Sequence, residues 1–150
     1  PRPSGTMTIP FLSNTSGRLT TLNGCVDADP ETTYLEAARQ LGIAGVAYIH
    51  IAEADWEDAP LMPTAFKQRL RQVFPGTMIY AGQYTAERAR TAIEEGWADL
   101  IGFGRPFVAN PDLPARLLTG AVIRPHDPAT LFGGGAQGLT DYPVLEQGLG

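Results

Sequence analysis

Four apolar runs of strand length, each followed by a segment with helix start and stop signals, recur between residues 16 and 120 of this 150-residue chain. The runs lie around Arg18 to Leu22, in "GVAYIHIAEADW", in "GTMIYAGQY" and in "ADLIGFGRPF". Strict alternation of strand and helix leaves few solutions. Strands joined through helices run parallel, their crossovers are right-handed, and the helices cover the sheet. In "DPETTYLEAARQLG", Asp29 stands at the N-cap, Pro30 at the first helical position, Glu31 in the first turn and Gly42 just past the expected end. Tyr34, Leu35, Ala38 and Leu41 share one face of that helix. Pro63 opens the next helix through Phe66, Leu70 and Val73; Thr85 caps the third and Gly96 ends it; the last lies in "NPDLPARLLTG". The run "GVAYIHIAEADW" is continuous enough for a strand buried on both faces, and it breaks into an acidic loop at Glu53 to Asp58.

Four such units make half of a (β/α)8 barrel of the TIM type, which needs ~250 residues as a whole. A doubly wound four-stranded sheet is the rival. On this reading residues 1–15 form an irregular segment, 16–120 the half-barrel and 121–150 a tail rich in Gly and Pro that folds across it. The chain does not begin with Met, so a processed or truncated product is expected.

Composition narrows the function. A formal charge of −5, with Lys67 the single lysine, argues against a nucleic-acid binder, since neutralising phosphates needs clustered cations. Arginines then have to carry any anion binding. Cys25 is the sole cysteine, which excludes an internal disulfide and a Cys-rich metal site and fits a reducing cytoplasm. No run approaches the ~18 consecutive apolar residues of a membrane span.

Ligands bind at the C-terminal ends of parallel strands. That rule selects Arg18 to Asn23, Glu53 to Trp56, Ala81 to Tyr84 and Gly102 to Arg105. In the last two, a strand ends in Gly just before a helix start, where free amides can face an anion and Gly permits close approach. Arg105 adds a forked cation. These segments read either as adjacent halves of a phosphate site or as tight turns, with Arg105 then pairing with Asp99 or Asp112. "GFGRPF" is not a dinucleotide fingerprint, because Phe107 replaces the third glycine and the segment follows the last strand. His50, inside an apolar strand, reads as a core or barrel-lining residue rather than a metal ligand. Glu53 and Asp55 read either as an acid–base pair or as a solvated edge. Trp56 could line a pocket or pack on the next helix.

The segments "YIHIAEADW", "IYAGQYTAERA", "DLIGFGRPFVANPDLPARL" and "LFGGGAQGLTDYPVL" together resemble the C-terminal half of the Old Yellow Enzyme family, FMN-dependent ene-reductases on a (β/α)8 barrel. The resemblance implies that Arg18 faces the electron-rich edge of the flavin and stabilises its reduced form. It assigns the FMN phosphate to Ala81, Gly82 and Gln83 and to Gly104 and Arg105. It also places Trp56 and Phe132 at the substrate pocket, with Phe132 where the family usually has Tyr in "FYGG". The implied reaction takes hydride from NADH or NADPH and delivers it from flavin N5 to an activated alkene. The proton-donating Tyr and the substrate-anchoring His-Asn or His-His pair of the family lie before these segments, so no catalytic residue is expected in this chain. An open half-barrel exposes strand edges and an apolar interior, so a chain supplying the N-terminal half, or a second copy, is the expected partner. The alternative is a non-catalytic phosphate-binding or scaffolding half-barrel that assembles through its edges; a doubly wound FMN carrier is a weaker third.

Overall fold

The apolar runs Tyr48–Ala52 and Thr77–Ala81 pair in parallel, with Tyr48 opposite Thr77 and Ala52 opposite Ala81. In chain order the elements are β1 (Thr6–Ser13), β2 (Leu19–Thr21), α1 (Pro30–Ile43), β3 (Tyr48–Ala52), α2 (Thr64–Val73), β4 (Thr77–Ala81), α3 (Ala86–Glu94), β5 (Leu100–Gly102), α4 (Arg105–Ala109) and α5 (Leu113–Thr119). The computed structural model describes residues 6–13, 19–21, 28–53, 61–132 and 135–145. They fall into two units, Pro1–Gly102 and Phe103–Gly150.

The first unit is built on one sheet of order β2-β1-β3-β4-β5, in which β1, β3, β4 and β5 run parallel and β2 lies antiparallel at the edge. Two expectations are corrected here. The segment expected to be irregular holds β1, which matches Thr6 to Tyr48 and Pro10 to Ala52. The run following Arg18 is not the first parallel strand but β2, paired antiparallel to β1 through Phe11↔Thr21 and Ser13↔Leu19. The five residues between β1 and β2 suffice for an antiparallel return, whereas a parallel one needs a dozen or more. Pro10 precedes the stretch that β2 pairs, so its missing N–H falls where β1 has a neighbour on one side only.

Burial alternates along β3 and β4. Ile49, Ile51, Met78 and Tyr80 are buried, while Tyr48, His50, Ala52, Thr77, Ile79 and Ala81 are half-buried. A strand buried on both faces was expected at β3; one face is covered instead, as half of a barrel requires. Phe66, Leu70 and Phe74 of α2 and its end are buried too, Lys67 of α2 lies 5.3 Å from the centre of the Tyr80 ring, and Tyr80 stands edge-on to Trp97 at 5.2 Å between centroids.

The caps form as the residue types dictate. Asp29 accepts from the Thr32 amide at 3.3 Å, and Thr85 accepts from the Arg88 amide at 3.2 Å. Gly96 takes the left-handed conformation after α3. Gly42, expected to end α1, remains inside it, and Gly45 (φ +76°) makes the turn. Packing explains the difference: a Cβ on Gly42 would stand 2.9 Å from the Pro75 ring, so Gly42 permits α1 to close on the end of α2.

In the second unit a five-residue helix, α4, follows Gly104 at once, and α5 ends at Gly120 (φ +70°). Asn110, fully buried between them, donates to Pro106 O (2.8 Å) and Arg124 O (2.9 Å) and accepts from Arg124 N (2.9 Å). Buried Arg116 donates to Asp112 (2.8 Å) and to Val122 O (2.7 Å), and Asp112 also accepts from Leu145 N (2.7 Å). These bonds hold the Gly- and Pro-rich tail against the helices of its own unit. The charge-assisted bond from Arg116 keeps the Asp112 carboxyl below the usual carboxylate range.

Candidate functional site

The parallel register sets Ala52, Ala81 and Gly102 side by side at the C-terminal ends of β3, β4 and β5. Gly102 suits this row, since a Cβ there would crowd that of Ala81 at 3.2 Å, with the His50 ring 3.9 Å away. His50 therefore lies on the half-covered face of the sheet.

Beyond Ala81 the chain turns through Gly82 and Gln83 into α3. Gly82 has φ +151°, a conformation L side chains rarely adopt, and a Cβ there would meet Glu53 Cβ at 3.0 Å and Glu53 O at 3.3 Å. The turn is pinned from beneath, because Glu53 N donates to Ala81 O at 2.7 Å and extends the ladder by one residue.

Glu53 is the centre of a buried polar cluster. Its Oε1 accepts from Lys67 Nζ at 2.6 Å and from the Tyr84 hydroxyl, and its Oε2 accepts from Arg88 at 2.9 Å. Lys67 Nζ also donates to the Tyr84 hydroxyl at 3.1 Å and lies 4.5 Å from the centre of the Trp97 ring. Arg88 covers the Tyr84 ring at 4.3 Å and donates to Gln83 O at 2.8 Å. The Lys67 and Glu53 side chains are only 2% and 4% exposed, so the pair stands out of water and each charge depends on the other. Burial pushes the Lys67 ammonium down against the pull of Glu53. It pushes the phenols of Tyr84 and Tyr80 up, and the Glu53 charge adds to both shifts.

Glu53 is thus neither an exposed acid–base group nor a solvated edge; Asp55, its expected companion, lies outside the described residues, as do Arg18 and Trp56. The sequence reading missed this cluster. Its one local signal is Lys67, which interrupts the apolar face formed by Phe66 and Leu70 of α2.

In the second unit, Gly104 precedes α4 with open space where a Cβ would stand, and Arg105 begins the helix as an exposed residue. Asp99 and Asp112, the two carboxylates considered for Arg105, each hold other groups. Asp99 binds Arg71 (2.8 Å) and Met78 N (2.7 Å), and Asp112 binds Arg116. Phe132 is 87% exposed. No helix among the described residues is long and apolar enough to cross a membrane.

A parallel sheet with helices on one face and its other face half-covered is part of an α/β barrel. Residues 21–122 match the model of the NADH:flavin oxidoreductase / NADH oxidase family, and the chain belongs to that family, in its Old Yellow Enzyme branch. It is 36% identical over 131 residues to a 12-oxophytodienoate reductase-like protein of Solanum lycopersicum, covering 86% of this chain and 35% of that one. It is 34% identical over 129 residues to 12-oxophytodienoate reductase 2 of Arabidopsis thaliana, covering 80% and 33%. Among solved structures it matches morphinone reductase at 42% identity with a TM-score of 0.77, over 83% of this chain and 34% of that one. The old yellow enzyme homologue from Zymomonas mobilis matches at 34% identity and a TM-score of 0.71, over 81% and 35%. The chain spans about a third of the length of these relatives.

Proposed function

We propose that this chain supplies the cofactor-phosphate-binding part of an FMN-dependent reductase of activated alkenes, completed by the strands that precede these in the family's barrel. The observation that carries the reading is the turn at Gly82: a glycine-only conformation at the C-terminal end of a parallel strand, held from below by a buried cluster, in a family that uses FMN. The residues fit the phosphate end of the cofactor in kind. Gly82 and Gly104 carry no side chain to obstruct an anion, and Arg105 is an exposed cation. In this reading Ala81, Gly82 and Gln83 of the first unit bind the phosphate, and the family resemblance assigns Gly104 and Arg105 of the second unit the same role.

The chemistry FMN supplies when bound is two-electron transfer from NADH or NADPH to a carbon–carbon double bond. Arg18 stabilises negative charge at the flavin edge, and Trp56 and Phe132 border the substrate. The proton donor comes from outside this chain. Relatives named as reductases support the reaction class, and a structure of morphinone reductase in complex with tetrahydroNAD supports a nicotinamide donor.

The half-covered face of β3 and β4 supports a partner of the same fold, for which a chain carrying the N-terminal half is the first candidate and a second copy the other. The test is reconstitution with that half, followed by assays of flavin uptake and alkene reduction. Arg105→Ala is expected to weaken FMN uptake, and Arg18→Leu to slow reduction while leaving uptake largely intact. Assembly without flavin uptake by the unsubstituted chain refutes the reading and favours a non-catalytic scaffold.

A further inference from the structure

We propose that Glu53, Lys67, Tyr84 and Arg88 form a positioning cluster that presents the Gly82–Gln83 turn to the phosphate of FMN, with Arg88 setting its preference for a phosphorylated flavin. The inference rests on the function proposed above and deepens it. Three consecutive residues of the turn are each held by the cluster: Gly82 lies against Glu53, the Gln83 carbonyl accepts from Arg88, and the Tyr84 hydroxyl lies between Glu53 and Lys67. Because the peptide is planar and trans, fixing the Gln83 carbonyl toward Arg88 also aims the Tyr84 N–H the opposite way. The donors of the turn are thereby oriented before any ligand arrives, which removes part of the ordering cost of binding.

The charges point the same way. Glu53 is ion-paired with both Lys67 and Arg88, so these side chains formally sum to one positive charge, while Glu87 and Glu95 line the cavity that Lys67 and Arg88 share. Aromatic faces support the two cations, Trp97 beneath Lys67 and Tyr84 beneath Arg88, and Trp97 itself donates to Glu95 at 3.0 Å. A bound phosphate gains from that charge without touching it, and a flavin lacking phosphate does not.

Arg88 is the member to change, because its side chain is 24% exposed and its removal leaves the buried Lys67–Glu53 pair in place. The experiment measures FMN and riboflavin affinities by flavin fluorescence for the full chain, with the barrel-completing partner where uptake requires it. Amide exchange at Gly82, Gln83 and Tyr84 is followed by NMR without flavin. Arg88→Met is expected to lower FMN affinity about tenfold, the worth of one charge-assisted hydrogen bond, with riboflavin affinity unchanged. Exchange in the turn should quicken, and Arg88→Lys should restore most of the preference. If Arg88→Met weakens both flavins equally, or leaves FMN preference and turn exchange as they were, the inference fails and the proposed function stands. If the unsubstituted chain takes up neither flavin, the proposed function fails and the inference falls with it.

Discussion

Replacing Lys67 by Met keeps the aliphatic stem between Phe66 and Leu70 and deletes the ammonium that lies 2.6 Å from Glu53. Removing one partner of a buried ion pair costs about 3–5 kcal/mol, because the other charge is left in a medium that solvates it poorly. Here Glu53 keeps Arg88 and the Tyr84 hydroxyl, so the lower end applies, about 3 kcal/mol. With a urea m-value of about 2 kcal/mol/M, the midpoint should fall by about 1.5 M at fixed chain concentration. Trp97, beside the deleted ammonium, reports the transition by fluorescence. Glu53→Gln should be similarly destabilising, and the double variant should cost at least about 1 kcal/mol less than the two singles summed. A Lys67→Met loss below about 1 kcal/mol, or additivity of the two changes, refutes the claim that the pair holds the loop by mutual dependence.

Other consequences are equally measurable. Gly82→Ala forces a side chain into a glycine conformation and against Glu53, and urea unfolding should register a loss of about 1–3 kcal/mol. Asn110→Ala removes three part-buried hydrogen bonds to the backbone of Pro106 and Arg124; it should cost about 3 kcal/mol and speed proteolysis within residues 121–145. Of the five tyrosines, Tyr80 and Tyr84 should stay neutral in an ultraviolet absorbance titration until the chain unfolds. Their pKa values are raised by folding, so their contribution to stability is whole below the ordinary tyrosine value of about 10 and declines as pH rises beyond it.

Local chemistry was legible in the sequence. Asp29 and Thr85 cap, Gly96 terminates, and the apolar runs at β3 and β4 pair in parallel, because each depends on residues within a turn or two. What depended on distant partners was not legible. The segment holding β1 looked irregular because it mixes Pro, Gly, Ser and Thr around one short apolar patch, and only its neighbours β2 and β3 make it a strand. Gly42 read as a helix stop until Pro75 came close enough to require it inside the helix. The cluster around Glu53 joins residues 14, 31 and 35 positions away, a spacing with no period to detect. The glycines of the turns were visible as potential anion sites, but the groups that orient one of those turns were not.

The central claim is that this chain binds FMN as part of a completed barrel. Size-exclusion chromatography with light scattering, following visible flavin absorbance across the peak, tests it most directly on the chain mixed with FMN and the N-terminal half of a relative. Flavin co-eluting with a complex larger than one chain is the expected result. A complex of that size that stays colourless, or a colourless single chain under the same conditions, contradicts the account.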